Sequence, residues 1–200
     1  MQNEELSTEE KILKAAMEVF LRDGYDGSRM QDIADVAGIN KALLHYYFRS
    51  KDKLFEKVFD YKIQRFFPQV DAAFDQEGPF IDKVTFFIEA YINFLRKNPF
   101  LPLFVLNTVN NKDKADFIKK IPIGIAHKII PRYYADLKEG KVRPLDPAQF
   151  IMTVMGMCIF PFLARPIFVS MLKIEDHNFD MIMEARINEL KTYVKLILTP

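Results

Sequence analysis

Side chains that could recognise a nucleic acid lie close together at Lys41, His45 and Tyr47. Leu44 and Phe48 are four residues apart and can pack inward from the opposite face of the same helix. Ammonium, imidazole and phenol groups on an exposed helical face can donate to base edges and phosphates in the major groove of DNA. These residue types and this spacing therefore predict a DNA-reading helix.

Two short helices joined by a tight turn would position that face. The apolar pattern predicts helices over residues 29–36 and 41–48. Gly38 can adopt the left-handed conformation that ends the first helix, and the side chain of Asn40 can accept from the open amides of the second. Ser28 begins a capping-box pattern, S-x-x-Q, ahead of the first helix. The segment thus predicts a helix-turn-helix.

The region around this segment resembles a known family. A helix that begins at the Ser7 and Glu10 capping box and ends at Gly24 is followed by Gly-Tyr-Asp-Gly and then by MQDIADVAGINKALLHYYFRSKDKLF. This order is similar to the amino-terminal DNA-binding domain of the TetR/AcrR transcriptional regulators, over about a quarter of the chain. Leu43 stands where that family usually has Thr, and His45 stands where it usually has Tyr. The resemblance therefore does not supply the operator sequence.

The resemblance implies a homodimer that binds a palindromic double-stranded DNA operator. The residues expected to contact DNA are Ser28, Arg29, Gln31, Asn40, Lys41, Ala42, Leu43, His45, Tyr46, Tyr47 and Lys51. A purely structural role is the alternative for some of them. Gln31 could serve only as a cap, Tyr46 could fill the junction with the next helix, and Lys51 could be a surface charge.

The charge distribution supports a DNA contact in one part of the chain. The formal net charge of the whole protein is only +1. Residues 1–39 carry four basic and nine acidic side chains, a balance of −5, whereas residues 40–65 carry seven basic and three acidic ones, a balance of +4. The cationic part coincides with the predicted reading helix and the start of the next helix, where phosphate contacts are needed.

The sequence lacks the spacings on which metal or covalent catalysis depends. His45, His127 and His177 have no partner at metal-ligand spacing, and there is no Gly-rich phosphate loop or GxSxG motif. We therefore expect no cofactor, no metal site and no enzymatic activity. The single cysteine, Cys158, needs no oxidising compartment, and the acidic start MQNEELSTEE is unlike a signal peptide, so we expect a cytoplasmic protein.

The fold class predicted from the sequence is all-α. An N-terminal three-helix helix-turn-helix domain is expected over residues 1–50 and a C-terminal helical bundle for ligand binding and dimerisation over residues 51–200. A connecting helix follows Ser50 and is expected to break at Pro68, so that it ends at about residue 67. It is the natural element to transmit events in the bundle to the reading helix.

Further helices are predicted in the C-terminal bundle. Residues 79–97 are apolar nearly all round, which predicts a central helix, and shorter or broken helices follow around Pro131. Residues 150–172 carry Arg165 as their only charge. A membrane span is the alternative there, but Pro161 and the lack of an export signal favour a buried dimer face instead.

Two sets of residues in the bundle are expected to be functional. Large apolar side chains with embedded polar groups predict an effector site at Phe86, Tyr91, Phe94, Phe104, Asn107, Asn111, His127 and Met155. The apolar stripes of the last helices predict a homodimer interface at Phe150, Val154, Phe162, Ile182, Ile187, Leu190, Val194 and Ile197.

These features favour a ligand-responsive transcriptional repressor that a small apolar or aromatic effector releases from DNA. The alternative is a helical binding or carrier protein whose amino-terminal domain is a protein-interaction module, which the near-neutral charge and Leu43 allow. Salt-sensitive binding to duplex DNA separates the two hypotheses. An α-helical enzyme would require a cluster of titratable groups that no spacing here predicts.

Overall fold

The protein folds into α-helices throughout the part of the chain that the structure describes. This structure is a computed structural model, and it describes residues 6–110, 117, 126–175 and 178–200. The helices are α1 Thr8–Gly27, α2 Met30–Ala37, α3 Lys41–Tyr47, α4 Lys51–Asp75, α5 Phe80–Lys97, α6 Leu101–Val109, α7 Ala126–Lys138, α8 Pro147–Leu163, α9 Arg165–Met171 and α10 Phe179–Leu198. The predicted all-α class is confirmed.

The chain divides into two compact units, Met1–Arg65 and Phe66–Pro200. In the first unit, α1 packs against α2 and α2 packs against α3. Phe20 of α1 and Phe55 of α4 are both buried, with ring centroids 4.6 Å apart. The apolar spacing of each short helix is thus satisfied by a common core, since helices of this length are marginal without packing.

Local capping defines the first helix of this unit. Ser7 Oγ accepts from the Glu10 amide, and a Glu10 carboxylate oxygen accepts from the Ser7 amide at 2.9 Å, which confirms the predicted capping box. Gly24 interrupts the helical dihedrals with φ of +69°. The regular part of α1 therefore ends at Gly24, as the sequence predicts, although helical turns continue to Gly27.

The second unit is built around α5. This helix packs against α7, α8 and α10, and its buried residues include Val84, Ile88 and Ile92. The spacing predicted a central helix, and the structure confirms it. The core around α5 contains one buried thiol, Cys158, and the buried face of α10. The members of α10 in this core are Phe179, Met183, Ile187, Leu190, Val194 and Leu198.

Two prolines that were expected to interrupt helices lie inside them. Pro68 lies within α4, which continues to Asp75, so the predicted break at Pro68 is wrong. An internal proline costs about 3 kcal/mol, but burial of Phe66, Val70 and Phe74 just around it contributes about 1.5 to 3 kcal/mol for each side chain. Packing therefore outweighs the local preference. Pro131 is likewise internal to α7.

A polar cluster fixes the junction between α4 and α5. Lys83 is buried, and its ammonium donates to the carbonyls of Ala73 at 3.0 Å and Phe74 at 3.2 Å, at the end of α4. At the start of α5, the amide of Phe80 donates to buried Asp136 at 2.6 Å. A cation at a helix C-terminus and an anion at a helix N-terminus are both stabilised by the partial charges at the helix ends.

No single described helix is long and apolar enough to cross a membrane. Only α8 and α9 taken together reach the necessary length and hydropathy, and the chain bends by 72° between them.

Candidate functional site

The reading helix α3 is anchored by one face and exposed on the other. Leu44 is completely buried, and Phe48 directly after the helix is also buried. On the opposite face, Tyr46 is 82% exposed and Tyr47 is 40% exposed, and Lys41 is exposed as well. A helix that keeps two aromatic rings and an ammonium in solvent presents groups that its own core does not need.

The turn before α3 has the geometry that the sequence predicts. Gly38 adopts the left-handed conformation, with φ of +68°, and its amide donates to the carbonyls of Ala34 and Asp35. The side-chain oxygen of Asn40 accepts from the Leu43 amide at 2.8 Å. The end of α2 and the beginning of α3 are therefore each fixed by one residue.

Ser28 is not at the surface, which does not favour the expected contact of its side chain with DNA. Its side chain is only 2% exposed, and its hydroxyl donates to the carbonyl of Tyr25 at 2.8 Å. The residue before α2 is Arg29, which makes no side-chain cap, so the predicted capping box of Ser28 with Gln31 is wrong. Gln31 instead donates to Asp35 at 2.8 Å, one turn along α2. Sequence spacing could not reveal that Ser28 serves the end of α1.

Other expected DNA contacts are accessible. Arg29, Gln31, Asn40, Ala42 and His45 are exposed, and Leu43 is half-buried.

Lys51 is held by the protein itself. Its ammonium donates to the carbonyl of Tyr25 at 2.7 Å and to that of Ser28 at 3.1 Å, and it lies 4.4 Å from the centre of the Tyr25 ring. The structure therefore gives Lys51 internal contacts that the charge pattern alone did not predict. Farther along α4, Lys53 pairs with Glu56 at 3.1 Å.

Two of the expected effector residues meet in an aromatic cluster of the second unit. Phe94 stacks on Phe66 with centroids 4.4 Å apart, and Tyr91 lies 5.8 Å from Phe66 and 5.2 Å from Phe87. Ile129 of α7 packs against the same group. We call Phe66, Phe87, Tyr91, Phe94 and Ile129 the aromatic cluster. Phe87 could have been found in the sequence, because it precedes Tyr91 by one helical turn.

The Tyr91 hydroxyl is the polar group of the aromatic cluster. Burial raises the pKa of Tyr91 above the usual value for tyrosine. The phenol therefore stays protonated at neutral pH and can donate a hydrogen bond to a bound molecule.

The remaining expected effector residues are scattered. Phe86 is 44% exposed, whereas Phe104 is buried against Phe117 with centroids 5.7 Å apart. The structure leaves Asn107 and His127 exposed and Met155 half-buried. Asn111 lies outside the described residues.

Most residues expected at the dimer interface lie in the core of their own unit. The buried ones are Phe150, Val154, Phe162, Ile187, Leu190 and Val194. Ile197 is half-buried against that core, and only Ile182 is exposed. Side chains that are largely covered within one chain leave little surface for a second chain, so burial does not favour an interface at these six positions, which stay a prediction. Helical periodicity identified the apolar stripe but not which partner it packs against.

A separate apolar surface lies on the outer sides of α8 and α10. Met152 and Phe160 of α8 and Ile182 of α10 are large, exposed side chains along a groove of about 670 Å³. Phe168 of α9 also lines this groove. We call Met152, Phe160, Phe168 and Ile182 the outer groove. Arg186 borders the groove and donates to the carbonyl of Met157 at 3.0 Å.

No group of three His, Cys, Asp or Glu side chains with metal-binding geometry occurs among the described residues. Cys158 is buried, and burial raises the pKa of its thiol to about 12. Arg96 forms the most extensive ion pair of α5, donating through two nitrogens to Asp180 at 2.8 and 2.7 Å. The Arg96 guanidinium lowers the pKa of Asp180 and links α5 to α10.

Sequence comparisons place the reading helix in a known domain. The family model for bacterial regulatory proteins of the tetR family matches residues 12–58. The HTH-type transcriptional regulator YhgD of Bacillus subtilis is 25% identical over 145 residues, covering 70% of this chain and 76% of the relative. The HTH-type transcriptional repressor NicS of Pseudomonas putida is 36% identical over 90 residues, which is 42% of either chain. The chain thus matches less than half the length of NicS.

Solved structures share the fold over nearly the whole chain. A TetR transcription regulator from Haloarcula marismortui superposes with a TM-score of 0.68 at 18% identity, covering 96% of this chain and 98% of that one. The transcriptional regulator FadR from Bacillus subtilis, solved in complex with stearoyl-CoA, superposes with a TM-score of 0.64 at 17% identity, covering 90% and 96%. At these sequence identities the similarity shows a shared fold alone.

Proposed function

Because the chain is a DNA-binding transcriptional regulator of the TetR family, we propose that it represses transcription by binding a two-fold symmetric operator as a homodimer. An apolar or aromatic effector bound to the second unit would release the operator. The single observation that carries the proposal is the exposed face of α3, which leaves Lys41, Tyr46 and Tyr47 in solvent while Leu44 is buried. Such a regulator acts in the cytoplasm, where its operator is.

We assign the exposed groups of unit 1 to two kinds of DNA contact. Arg29, Lys41 and Arg49 are exposed cations at or beside the reading helix, and they suit phosphate oxygens. His45 and Tyr47 lie on the reading face and suit base edges in the major groove. Leu43 is half-buried and offers an apolar surface to a thymine methyl group, so its departure from the usual Thr changes which base is favoured.

The homodimer contact is assigned to the outer groove rather than to the buried stripe of α10. Met152, Phe160 and Ile182 supply exposed apolar area of the kind that an interface covers. A two-fold axis through this surface would place the same residues of both chains against each other.

The effector is assigned to the aromatic cluster. Its rings favour an apolar or aromatic body, and the protonated Tyr91 hydroxyl can donate to one acceptor on the ligand. The complex of FadR with stearoyl-CoA makes acyl-coenzyme A thioesters one class to include among the compounds tested. DNA binding needs the two reading helices to be roughly 34 Å apart, one turn of the duplex. A ligand releases DNA only if it binds more tightly to a state with a different spacing.

Titration of a fluorescent duplex with the full chain tests the DNA-binding proposal. The anisotropy is measured at several salt concentrations, and the logarithm of the association constant should fall linearly with the logarithm of salt. A helical carrier or protein-interaction module would give no saturable, salt-dependent binding. That result would reject the regulator in favour of the alternative.

Thermal melts in the presence of apolar acids and acyl-coenzyme A thioesters test the effector proposal. A compound that binds the aromatic cluster should raise the melting temperature of the full chain, because it binds only the folded state. Tyr91→Phe should weaken that stabilisation, whereas Tyr134→Phe, at an exposed ring of α7, should leave it unchanged. Equal stabilisation of both variants would contradict the assignment to Tyr91.

A further inference from the structure

The helix-turn-helix segment begins at Ser28 and ends at Lys51, and these two residues are joined directly. The Lys51 ammonium donates to the Ser28 carbonyl at 3.1 Å and to the Tyr25 carbonyl at 2.7 Å. Its side chain is half-buried, and it lies 4.4 Å from the Tyr25 ring centre. An ammonium has three donors, so these contacts occupy most of its bonding capacity.

The carbonyls that Lys51 binds lie where α1 ends and the chain leads into α2. Gly24 interrupts α1, and the backbone around Tyr25 and Ser28 leads from α1 into α2. The Tyr25 carbonyl also accepts from the Ser28 hydroxyl at 2.8 Å. A cation near the last carbonyls of a helix is favourable because those groups carry partial negative charge.

The residue after Lys51 binds the other end of the same tyrosine. The Tyr25 hydroxyl donates to the carboxylate of Asp52. The Tyr25 ring packs against Phe55, with centroids 5.0 Å apart, and against Phe20 at 6.1 Å. Burial and the Asp52 carboxylate raise the pKa of Tyr25, which keeps the hydroxyl protonated and able to donate. Tyr25 is thus held at its carbonyl, ring and hydroxyl by the first two residues of α4.

We propose that Lys51, Asp52 and Tyr25 form a clasp that closes the neck of the helix-turn-helix segment and so sets the position of α3 for DNA. The inference rests on the proposed function and deepens it. Lys51 acts as a positioning residue. It joins the start of α4 to the link between α1 and α2, and it contributes to DNA affinity without contacting a phosphate. A cation that neutralises a phosphate would instead release counterions on binding.

The salt dependence of DNA binding distinguishes the two roles. In the full chain, Lys51→Met should weaken duplex binding about tenfold at every salt concentration and leave the slope of the salt plot unchanged. Lys41→Ala is the comparator, since loss of a phosphate contact should lower that slope by about one unit. A slope lowered by Lys51→Met as much as by Lys41→Ala would overturn the clasp. Unchanged affinity in Lys51→Met would overturn it as well.

Removing the acidic member of the clasp gives an independent test. If only net charge mattered, loss of any carboxylate near the DNA would strengthen binding. Asp52→Ala and its control Asp26→Ala, at an exposed residue of the same unit, would then both bind DNA more tightly. The clasp predicts the opposite sign for Asp52→Ala, about a threefold to tenfold weakening, with Asp26→Ala unchanged or tighter. Tighter binding by both variants would contradict the proposal.

Amide hydrogen exchange tests the clasp without DNA. In Lys51→Met, amides of α2 and α3 should exchange faster than in the original protein, while those of α5 in the other unit should not change. Unchanged exchange in α2 and α3 would reject the clasp even if DNA binding were normal. If the unsubstituted protein does not bind DNA but Lys51→Met still exchanges faster in α2 and α3, the proposed function is rejected and the structural role of the clasp is supported.

Discussion

At the scale of single residues, the reading face depends on which side chains α3 buries. Leu44 and Phe48 are inside the first unit, so the groups between them project into solvent. The sequence predicted this division correctly, because a spacing of four residues on a short amphipathic helix leaves one face for the core. It could not predict that Lys51 bonds to the end of α1, since that contact joins residues far apart in the chain. The S-x-x-Q spacing also did not show that the Ser28 hydroxyl bonds back to the Tyr25 carbonyl instead of capping α2.

Lys41→Ala and Tyr47→Ala test the assigned reading face. Each change removes a contact worth about 1 to 3 kcal/mol, so affinity for a selected operator should fall by about fivefold to a hundredfold. Anisotropy titration measures the affinity, and light scattering should show an unchanged mass. Lys14→Ala and Tyr134→Ala remove exposed residues of the same types elsewhere. If the control variants lose as much affinity as the reading-face variants, the face is misassigned.

The thiol of Cys158 provides a probe of the core of the second unit. Because burial raises its pKa to about 12, the reactive thiolate is scarce at pH 8, and the thiol should react with a disulfide reagent far more slowly in the folded protein than in urea. The same shift means that the thiol favours folding at neutral pH, and this contribution is lost as the pH rises above the pKa of an unfolded cysteine. Complete labelling of the native protein within the mixing time would contradict this burial.

At the scale of helices, local signals located the caps well and the packing partners poorly. Asn40 and Gly38 act where the sequence predicts, because each works through a neighbouring amide or a backbone angle. Pro68 does not break α4, because the apolar side chains around it gain more from burial than the proline costs. Burial of Leu190 could not be predicted, since a periodic stripe is the same whether it faces its own core or a second chain.

Gly38→Ala tests the turn between α2 and α3. The residue has φ of +68°, and no atom lies within 4 Å of an added Cβ, so the effect comes from the backbone alone. A left-handed conformation costs an ordinary residue about 1 to 2 kcal/mol, and urea denaturation should report a loss of that size. Gly27→Ala is the control, because its added Cβ would make only an ordinary contact at 3.6 Å with Asp23. Equal stability of both variants would argue against the left-handed turn.

At the scale of the whole molecule, the outer groove and the core stripe of α10 have different consequences for assembly. Exposed Met152 and Ile182 are available to a second chain, whereas Leu190 and Val194 are fully buried in their own unit. Changes in the first pair should affect association, and changes in the second pair should affect folding. The sequence alone assigned both kinds of residue to the same role.

Charge introduced into the outer groove should produce monomers. Ile182→Glu or Met152→Glu would bury an unpaired carboxylate in the dimer, so sedimentation should report a monomer that melts as one folded species. Leu103→Glu, at an exposed apolar residue of α6, should stay dimeric. Leu190→Ala should instead destabilise folding by about 2 to 5 kcal/mol. A dimeric mass for both groove variants would place the interface elsewhere.

Selection of bound sequences from a random pool of DNA duplexes tests the central claim most directly, because the protein itself chooses the site from all possible sequences. The protein should recover one site with two-fold symmetry, whose half-sites are one or more helical turns apart, and Tyr47→Ala, which removes an assigned base contact, should fail to enrich that site. Recovery of no common sequence, or of a site without symmetry, would contradict an account in which two copies of α3 read DNA together.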